Sequence, residues 1–539
     1  MSGTHSLTVR DASFDVIRAA GIEHIFANPG STEISLLANF PADLKFTLAL
    51  HEGSVVGMAT GMAIATGEPA LAIVHTTAGL GNAVAAIATA RVNRAPIAII
   101  VGQQDRRHLA TEPFLAGKIR GLAGDYPVWF NEPVTAQEVP AAIARAIHEA
   151  RYRRGPAIVV VPMDDWAQHV DPTHLFAAPV TVHKGSTASH ETIEDIAHAI
   201  NAAKNPVIIA GAGNDTQAGW NAAVELAERL KAPVFQESFA GQAGFPQDHD
   251  YFAGFLSASR SVVRTQLEGF DLILAVGAPV LRQYNFEPGA MFDANATVVQ
   301  ITEDADEAHR SPADIAVVAD IASTVTHLLP EVTPRDSAAP TVNRRPRPAP
   351  PVAGEPLRAS HVMALLAEKT SADTIIVEET PSSRPDLHEL LPARQPQAFI
   401  SAAMGGLGFG LPAAIGLRMG NPTRPVIAVL GDGSSMYAIQ GLWSAKHYEV
   451  GTVFIILNNA RYAVMDRLAD KFGSGGPAWP AFEEIDFAQL SESLGVPSQR
   501  ISSYEELVTV FAGVIPGLPS RKTPLTLVID VEPELTFAP

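Results

Sequence analysis

The sequence predicts an α/β protein built from three consecutive domains, each a doubly wound parallel sheet covered by helices. Short apolar runs rich in Val and Ile alternate with helical patterns along most of the 539 residues, which is the order that parallel sheets require. Glycine or small polar residues end many of these runs, as expected where strands give way to helices. A chain of this length also exceeds one ordinary core.

The apolar runs fall into three groups, from which we predict the strands. The first group lies near His24–Ala27, Phe46–Leu50, Leu71–Thr76, Ile97–Val101 and Ala157–Val161. The second lies near Pro206–Ala210, Ala232–Phe235, Leu272–Val276, Thr297–Ile301 and Ala316–Ala319. The third lies near Thr374–Val377, Val426–Leu430, Thr452–Leu457 and Leu525–Ile529.

These groups define the predicted domains, at residues 1–180, 188–332 and 357–539. The polar stretch from Asp171 to His190 ends the first domain, and the first and third domains look alike in size and pattern. Eight prolines and four arginines between Pro330 and Pro356 predict a stiff, extended linker at residues 333–356.

Composition and charge exclude several classes of function. The chain has no cysteine, which excludes disulfides and Cys-ligated zinc or iron–sulfur sites. Its formal net charge of −19 would repel a polyanion, so we expect no nucleic-acid partner. No apolar run approaches the ~20 residues that span a bilayer, and residues 1–20 lack the pattern of a secretory signal. We therefore expect a cytoplasmic enzyme that does not enter a membrane.

The densest chemical signal lies where the predicted strand Val426–Leu430 runs into Gly431-Asp432-Gly433-Ser434 and a predicted helix of about four turns. A glycine-rich corner at a helix N-terminus suits a diphosphate, because its N–H groups point outward. The next predicted strand delivers Asn458-Asn459, and a βαβ crossover sets that strand end beside Asp432. Carboxylate, amide and phosphate oxygens suit Mg²⁺ or Ca²⁺, of which Mg²⁺ is the better fit in cytoplasm.

With this spacing the sequence resembles the thiamine-diphosphate (ThDP)-dependent decarboxylase superfamily, whose signature is Gly-Asp-Gly followed about two dozen residues later by Asn-Asn. The resemblance implies a pyrimidine-binding first domain, a central Rossmann-like domain and a diphosphate-binding third domain. It implies that Asp432, the Asn459 side chain and the Arg461 backbone carbonyl hold the metal. The other implied cofactor-binding positions are Asn82, Glu379, Thr380, Gly405, Leu407, Gly431, Gly433, Ser434 and Tyr462.

The same resemblance assigns a glutamate in the first domain. Glu52 follows the predicted strand Phe46–Leu50 and precedes a helix of small residues at 54–65. In the family the matching glutamate hydrogen-bonds the pyrimidine nitrogen of ThDP and so promotes deprotonation of the thiazolium carbon. A carboxyl group in an apolar wall suits this role, because burial favours its protonated form. The resemblance also makes Leu407 the apolar wedge that bends the cofactor.

Within the superfamily the resemblance is greatest to the benzoylformate decarboxylases, through segments such as Asn28-Pro29-Gly30-Ser31 and residues 162–166. It implies that Ser31 holds the substrate carboxylate and that His75 moves protons at the reacting carbon, a task for which imidazole is suited. The implied activity is non-oxidative decarboxylation of a 2-oxo acid, aromatic by this resemblance, to an aldehyde and CO₂, with carboligation of aldehydes beside it. Family members build the site across two chains, which implies at least a homodimer and, more fully, a homotetramer.

Several positions depart from the benzoylformate decarboxylase pattern. Tyr284, which we count among the catalytic residues, replaces an expected second histidine. Ser401 and Leu468 stand at positions where aromatic residues are expected, with Val464 and Met465 at neighbouring pocket positions. The substrate and the balance between decarboxylation and carboligation therefore stay open.

Other functions fit parts of the sequence. Gly211-Ala212-Gly213 follows a predicted strand and resembles a dinucleotide turn, but it lacks the third glycine of a dehydrogenase. Within the superfamily an acetohydroxyacid synthase with FAD and a 2-hydroxyacyl-CoA or oxalyl-CoA lyase are alternatives, so FAD or ADP in the central domain stays open. A non-catalytic paralogue is a further alternative, against which the joint retention of the cofactor residues argues.

Overall fold

The computed structural model describes residues 7–171, 173, 182, 185, 187–280, 282–471, 473 and 478–533. Within this part of the chain, three six-stranded sheets follow one another, and their strand pairs are parallel. The predicted α/β class with three parallel-sheet units is confirmed. Most of the stretch from Asp171 to His190, which we expected to end the first domain, lies outside the described residues. None of the described helices has both the length and the apolar character needed to cross a membrane.

The first sheet lies within residues 24–162. Its strands are β1 (His24–Asn28), β2 (Lys45–Leu48), β3 (Ala70–Val74), β4 (Ile97–Gln103), β5 (Trp129–Asn131) and β6 (Pro156–Pro162). The helices of this part are α1 (Val9–Ala19), α2 (Ile34–Leu37), α3 (Glu52–Thr66), α4 (Thr76–Val92) and α5 (Val139–Arg153). The strand order β2-β1-β3-β4-β6-β5 reverses between β1 and β3, and ligands bind outside the carboxyl ends of strands at such a switch point.

The central sheet lies within residues 206–318. Its strands are β7 (Pro206–Ala210), β8 (Val234–Gln236), β9 (Phe252–Phe255), β10 (Leu272–Val276), β11 (Thr297–Thr302) and β12 (Ile315–Val318). Its helices are α6 (His190–Ala202), α7 (Gln217–Leu230), α8 (Arg260–Gln266), α9 (Ala305–Arg310) and α10 (Ile321–Leu328). The order β12-β11-β10-β7-β8-β9 is that of dinucleotide-binding folds, as the Rossmann-like prediction required.

The third sheet lies within residues 375–530 and repeats the strand order of the first. Its strands are β13 (Ile375–Glu379), β14 (Phe399–Ser401), β15 (Val426–Gly431), β16 (Val453–Asn458), β17 (Ser498–Ile501) and β18 (Leu525–Asp530). Its helices are α11 (Ala359–Lys369), α12 (Arg384–Leu390), α13 (Gly410–Gly420), α14 (Asp432–Ser435), α15 (Gly441–His447), α16 (Ala463–Lys471), α17 (Phe487–Ser493) and α18 (Tyr504–Val514). The order β14-β13-β15-β16-β18-β17 matches the expected likeness of the first and third domains.

The described residues also include short 3₁₀ segments. They lie at Ser31–Glu33, Arg106–Thr111, Ala136–Glu138, Asp165–Ala167, Ala212–Asn214, Leu329–Glu331, Pro381–Ser383 and Ile515–Ser520. Two of them, Ser31–Glu33 and Pro381–Ser383, lie next to candidate site residues.

The single four-turn helix predicted after Ser434 is wrong. Helix α14 ends at Ser435, and α15 begins only at Gly441. Between them the chain makes tighter turns, such as the bond from Tyr437 N to Ser434 O. The hydroxyl groups of Ser434 and Ser435 both donate to Gly431 O, and such bonds compete with the helical ladder. The first helix after the corner is therefore one turn long.

Helix α3 connects the first sheet to the third by packing along α13. A Cβ atom on Gly61 would lie 2.1 Å from Ala413 O, and one on Gly416 would lie 1.9 Å from Met58 O. Only glycine permits this approach of the two backbones, and it places Glu52, at the start of α3, on a rigid support. Glu52 is the first residue of this helix rather than a strand end, because β2 already ends at Leu48.

Candidate active site

Asp432 and Asn459 meet at the carboxyl ends of two adjacent strands. Strands β15 and β16 are neighbours, with Gly431 opposite Leu457. The buried Asp432 carboxylate accepts hydrogen bonds from Gly433 N at 2.7 Å and from Asn459 N at 2.8 Å. It also accepts one from the next backbone N–H, that of Ala460, at 2.6 Å. The predicted crossover thus places these two residues side by side.

The donor set at this corner fits a diphosphate with its divalent cation. Burial raises the pKa of the Asp432 carboxyl, although the backbone N–H groups around it favour the charged form. A bound cation would also favour the charged form and so would offset the effect of burial on this pKa. The Arg461 side chain is turned to Asp466, with Arg461 Nε 3.0 Å from Asp466 Oδ2. In the described ranges no three His, Asp or Glu side chains converge on one point. A metal here would therefore rest on Asp432, Asn459, a carbonyl and phosphate oxygens.

A second carboxylate shapes the turn that carries Leu407. Glu379, at the end of β13, accepts hydrogen bonds from the backbone N–H groups of Gly408, Phe409 and Gly410 at 2.8, 2.8 and 2.5 Å. Burial raises the pKa of Glu379 to about 7 against the effect of these three donors. Both oxygens are thus engaged by the turn, so the Glu379 side chain supports Leu407. Its backbone oxygen accepts the Ser434 hydroxyl at 2.7 Å, and the neighbouring Thr380 is buried.

Gly405 and Gly408 give this turn its shape, since their φ angles of 72° and 92° lie in the left-handed region. Leu407 between them lines a groove. At the corner itself, a Cβ on Gly433 would come within 3.4 Å of Phe482 Cζ and 3.9 Å of Tyr462, so these rings close over the glycine. The predicted diphosphate-side residues are therefore brought together around β13, β15 and β16.

The first-domain residues form a separate half of the candidate site. Glu52 is only 8% exposed, and its Oε2 accepts a hydrogen bond from Asn82 Nδ2 at 3.0 Å. A Cβ on Gly79 would lie 3.2 Å from Glu52 Oε1, which brings the first turn of α4 against this carboxyl group. Glu52, Asn82 and the turn that begins at His75 are thus neighbours.

His75 is held by two residues that sequence reasoning missed. Its Nδ1 lies 3.0 Å from Glu33 Oε2 and 3.0 Å from Thr32 Oγ1. The Glu33 side chain is 2% exposed and also accepts the Gly30 N–H at 2.6 Å. A carboxylate against Nδ1 favours a proton on that nitrogen and leaves Nε2 for chemistry. Ser31, next in the chain to Gly30, is exposed at the start of its 3₁₀ segment.

Glycines give a sequence signal for the His75–Glu33 pair in hindsight. A Cβ on Gly102 would lie 1.6 Å from Glu33 Oε1, and one on Gly30 would lie 2.4 Å from His75 Nδ1. Both positions require glycine because the buried pair fills the space. Gly102, which follows the predicted strand Ile97–Val101, was therefore a sign in the sequence that the Glu33 side chain packs against this backbone.

A groove of about 760 Å³ runs between the central and third sheets. Tyr284, Leu407, Val464, Met465 and Leu468 line it, so the positions predicted to shape the pocket do share one surface. Among the described residues, those that line it are numbered 238 or higher, so Glu52 and His75 are not part of its wall. Of the two halves of the candidate site, the groove therefore includes residues of the diphosphate-side half alone.

Both halves also expose large apolar side chains. On the first-domain side they include Ile34, next in the chain to Glu33, and Leu50, two residues before Glu52. On the third-domain side they are Met404, Met436, Tyr437, Tyr462 and Met465. Exposed apolar groups that gather near a candidate site are typical of surfaces that another chain or a ligand covers.

The interpretation of Ser401 as a pocket-wall position is wrong. Ser401 is buried in β14, and its hydroxyl donates to Glu378 Oε2 at 2.7 Å. The next residue, Ala402, lines the groove instead. The reason is register, because Ser401 lies opposite Glu378 in the parallel pair of β13 and β14, which turns its side chain to that carboxylate.

Loop packing accounts for the glycines of the dinucleotide-like turn in the central domain. A Cβ on Gly211 would lie 2.6 Å from Ala278 Cα, and one on Gly213 would lie 3.0 Å from Gly277 Cα. A Cβ on Gly244 would in turn lie 2.3 Å from Gly211 O. Three loops therefore meet where a dinucleotide turn would approach its phosphates, and close packing explains these small residues.

Comparison with known proteins assigns a family to this geometry. Residues 7–119 match the N-terminal TPP binding domain of thiamine pyrophosphate enzymes, residues 193–328 their central domain, and residues 382–531 their C-terminal TPP binding domain. The chain is 38% identical to the benzoylformate decarboxylase of Pseudomonas aeruginosa over 504 residues, which are 93% of this chain and 95% of that protein.

Two solved structures share the whole architecture. A thiamine diphosphate-dependent 4-hydroxybenzoylformate decarboxylase of Rhodococcus jostii RHA1 has a TM-score of 0.92 at 33% identity, covering 98% of this chain and 99% of that one. The benzoylformate decarboxylase of Polynucleobacter necessarius has a TM-score of 0.93 at 30% identity, covering 99% and 100%. The chain therefore belongs to the thiamine pyrophosphate enzymes and is a homologue of benzoylformate decarboxylase, a carboxy-lyase.

Proposed function

We propose that the chain catalyses the ThDP- and Mg²⁺-dependent decarboxylation of an aromatic 2-oxo acid of the benzoylformate type to an aldehyde and CO₂, with carboligation of aldehydes beside it. The observation that carries the proposal is the conjunction of the Asp432–Asn459 corner with the buried Glu52 and the His75–Glu33 pair. The similarity to benzoylformate decarboxylase over 93% of the chain supports the same reaction class.

The proposed roles follow from the chemistry of each side chain. When bound, ThDP supplies a carbon nucleophile and accepts the electron pair that CO₂ leaves behind. Asp432, Asn459 and the Arg461 carbonyl hold the metal, and Glu52 holds a proton at the pyrimidine nitrogen. Ser31 donates its hydroxyl to the substrate carboxylate. His75 takes and returns a proton through Nε2, while Glu33 keeps the ring in place.

We also propose that the complete site is shared between two chains, in a homodimer at least and in a homotetramer as the fuller assembly. This rests on the groove, whose described wall carries no first-domain residue, and on the apolar side chains exposed beside both halves. Mixing Glu52→Gln and Asp432→Asn subunits should restore up to one good site per mixed dimer. No recovery after verified subunit exchange would contradict a shared site.

The reaction is tested with a panel of 2-oxo acids. Protein reconstituted with ThDP and Mg²⁺ should release CO₂ and benzaldehyde from benzoylformate, with far lower kcat/KM for pyruvate. Condensation of two pyruvate molecules to a hydroxy-oxo acid as the main activity would favour the acetohydroxyacid synthase alternative instead. Absence of CO₂ from every 2-oxo acid tested would contradict the proposal.

A further inference from the structure

Arg384 lies in the wall of the groove, is partly exposed and has one terminal nitrogen of its guanidinium group without a hydrogen bond among the described residues. Arg384 begins helix α12, and its Nε and Nη2 donate to Glu378 Oε2 at 2.9 and 2.6 Å. Nη2 also donates to Ser401 Oγ. Over the described part of the chain Nη1 has no recorded hydrogen bond, and the side chain is 25% exposed. Nη1 is therefore the guanidinium nitrogen left to donate to a ligand in the groove that Arg384 lines.

The arginine belongs to the same wall as the turn that carries Leu407. Ser401 pairs with Glu378 across β13 and β14, and the chain continues from Ser401 through Ala402 to that turn. Arg384, Ala402, Leu407 and Leu468 all line the groove. A molecule that reacts beside Leu407 and extends along the groove therefore meets the wall that contains Arg384.

The charges around Arg384 indicate which ligand chemistry fits. Burial favours the neutral form of Glu378, but the Arg384 guanidinium outweighs it and lowers the pKa of Glu378 to about 2. The ion pair is thus formed and neutral as a whole at pH 7. Two further carboxyl groups, Glu237 and Glu379, add negative potential at Arg384. A second anionic group on a ligand is disfavoured there, whereas a neutral oxygen can accept a charge-assisted hydrogen bond from Nη1.

We propose that Arg384 is a specificity-determining residue that donates from Nη1 to a neutral oxygen on the far end of the substrate, such as the hydroxyl of a 4-hydroxyphenyl ring. The inference rests on the proposed decarboxylation of aromatic 2-oxo acids. It narrows the substrates to those that carry a neutral oxygen at the far end of the ring. Glu378 and Ser401 act as positioning residues, because they fix the guanidinium plane. A substrate with a methyl group in place of the hydroxyl leaves Nη1 facing an apolar group without a partner, which disfavours it.

The test compares substrates that differ at this one position. For wild-type protein with ThDP and Mg²⁺, kcat/KM for 4-hydroxybenzoylformate should exceed that for 4-methylbenzoylformate by about 10- to 100-fold, as expected for a hydrogen bond to a charged donor. The double variant Arg384→Gln/Glu378→Gln removes both charges together, so no carboxylate is left buried and unpaired. Its preference for the hydroxyl substrate over the methyl substrate should fall to about threefold or less.

Two matched variants separate a hydrogen bond from Arg384 to the substrate from the general effect of removing a charge from the groove. Arg345 lines the same groove but is paired with Asp386 and Glu389, so Arg345→Gln should keep the wild-type preference. Arg384→Lys keeps the charge without the planar fork and should lose most of the preference. An unchanged preference in the double variant, or an equal loss in Arg345→Gln, would overturn the assignment.

A binding measurement separates this inference from the proposed reaction. Calorimetric titration of the loaded protein with 4-hydroxybenzoate and 4-methylbenzoate, which have no 2-oxo group, reports the ring preference without turnover. A hydroxyl preference that depends on Arg384, in a protein that decarboxylates no 2-oxo acid, would overturn only the proposed reaction. Turnover of benzoylformate with no hydroxyl preference in either measurement would overturn only the role of Arg384.

Discussion

His75 Nδ1 lies 3.0 Å from Glu33 Oε2, and the carboxylate that holds the imidazole is itself buried and bonded to the Gly30 backbone. The pair joins the end of β3 to the loop after β1, two strands that are neighbours in the first sheet. The carboxylate therefore sets both the orientation of the ring and the nitrogen that carries the proton.

Removing the charge of Glu33 should impair proton transfer by His75. Glu33→Gln should lower kcat by about 10- to 100-fold, which is the value of one hydrogen bond to a charged group, and should move the pH profile of kcat. Steady-state kinetics over a range of pH measures both. Glu68→Gln changes an exposed glutamate of the same domain, paired with Arg151, and should be neutral. A Glu33→Gln enzyme with the parent's pH profile would show that His75 does not depend on this carboxylate.

Removing the charge of Asp432 should weaken cofactor binding. Asp432→Asn keeps the size of the side chain and one acceptor, but loses the only anionic side chain proposed for the metal. We expect ThDP affinity in the presence of Mg²⁺ to fall by more than the roughly 10- to 100-fold that loss of a contact to a metal ligand costs. Isothermal titration calorimetry measures the affinity, and Asp466→Asn, which changes the partner of the Arg461 side chain, serves as the control. Equal ThDP affinity in Asp432→Asn and the parent would refute the metal site.

Tyr284 should influence the fate of the product. Tyr284 is 58% exposed and lines the same groove as Leu407, at the position where the resemblance leads us to expect a histidine. A phenol is a poorer proton donor than an imidazolium at neutral pH, so slower protonation should leave more time for addition to a second aldehyde. Tyr284→His should therefore raise the ratio of aldehyde to hydroxyketone, measured by chromatography of the products. A ratio that does not move would leave Tyr284 as a packing residue.

Stability should depend on pH through Asp215, which joins the central domain to the loop before β14 of the third sheet. Gln397 N donates to both carboxylate oxygens of Asp215, and Gln397 Nε2 donates to Ile64 O at the end of α3. Burial raises the pKa of Asp215 to about 8 from an ordinary value of 3.8. The folded protein then holds a proton that the unfolded chain releases, so this contribution is full below about pH 4 and is lost as the pH rises through about 8.

The corresponding experiment compares melting temperatures at about pH 6 and about pH 9. The parent should lose more stability over this interval than Asp215→Asn, because the amide cannot ionise. Asp195→Asn alters an exposed aspartate of the central domain and should follow the parent. Parallel losses in Asp215→Asn and the parent would mean that Asp215 does not titrate in this range.

Long apolar strands and their connections could be predicted from the sequence, because burial on both faces leaves a continuous apolar run. The four strands that escaped prediction, β5, β9, β14 and β17, are three or four residues long and lie at sheet edges. Such strands are shorter than the runs that periodicity can detect. The adjacency of Asp432 and Asn459 was predictable because a right-handed crossover sets neighbouring strand ends side by side.

Contacts that depend on how sheets and domains pack could not be predicted in this way. Glu33 meets His75 only because β1 and β3 are neighbours, and nothing in the local pattern at residues 31–33 points to position 75. Asn93 Nδ2 donates to Ser401 O across 308 positions, through contact between the first and third domains. The pairing of Ser401 with Glu378 and Arg384 likewise follows from strand register. The catalytic roles assigned to Glu52, Ser31, His75 and Tyr284 stay predictions.

The activation of bound ThDP by Glu52 is tested most directly by exchange of the thiazolium C2 proton with deuterium, followed by NMR after rapid quenching. Exchange should be fast in the wild-type protein. In Glu52→Gln it should be slower by about 10²-fold or more, with ThDP still bound, because glutamine cannot hold the proton at the pyrimidine nitrogen. Exchange in Glu52→Gln as fast as in the parent would mean that Glu52 does not activate the cofactor.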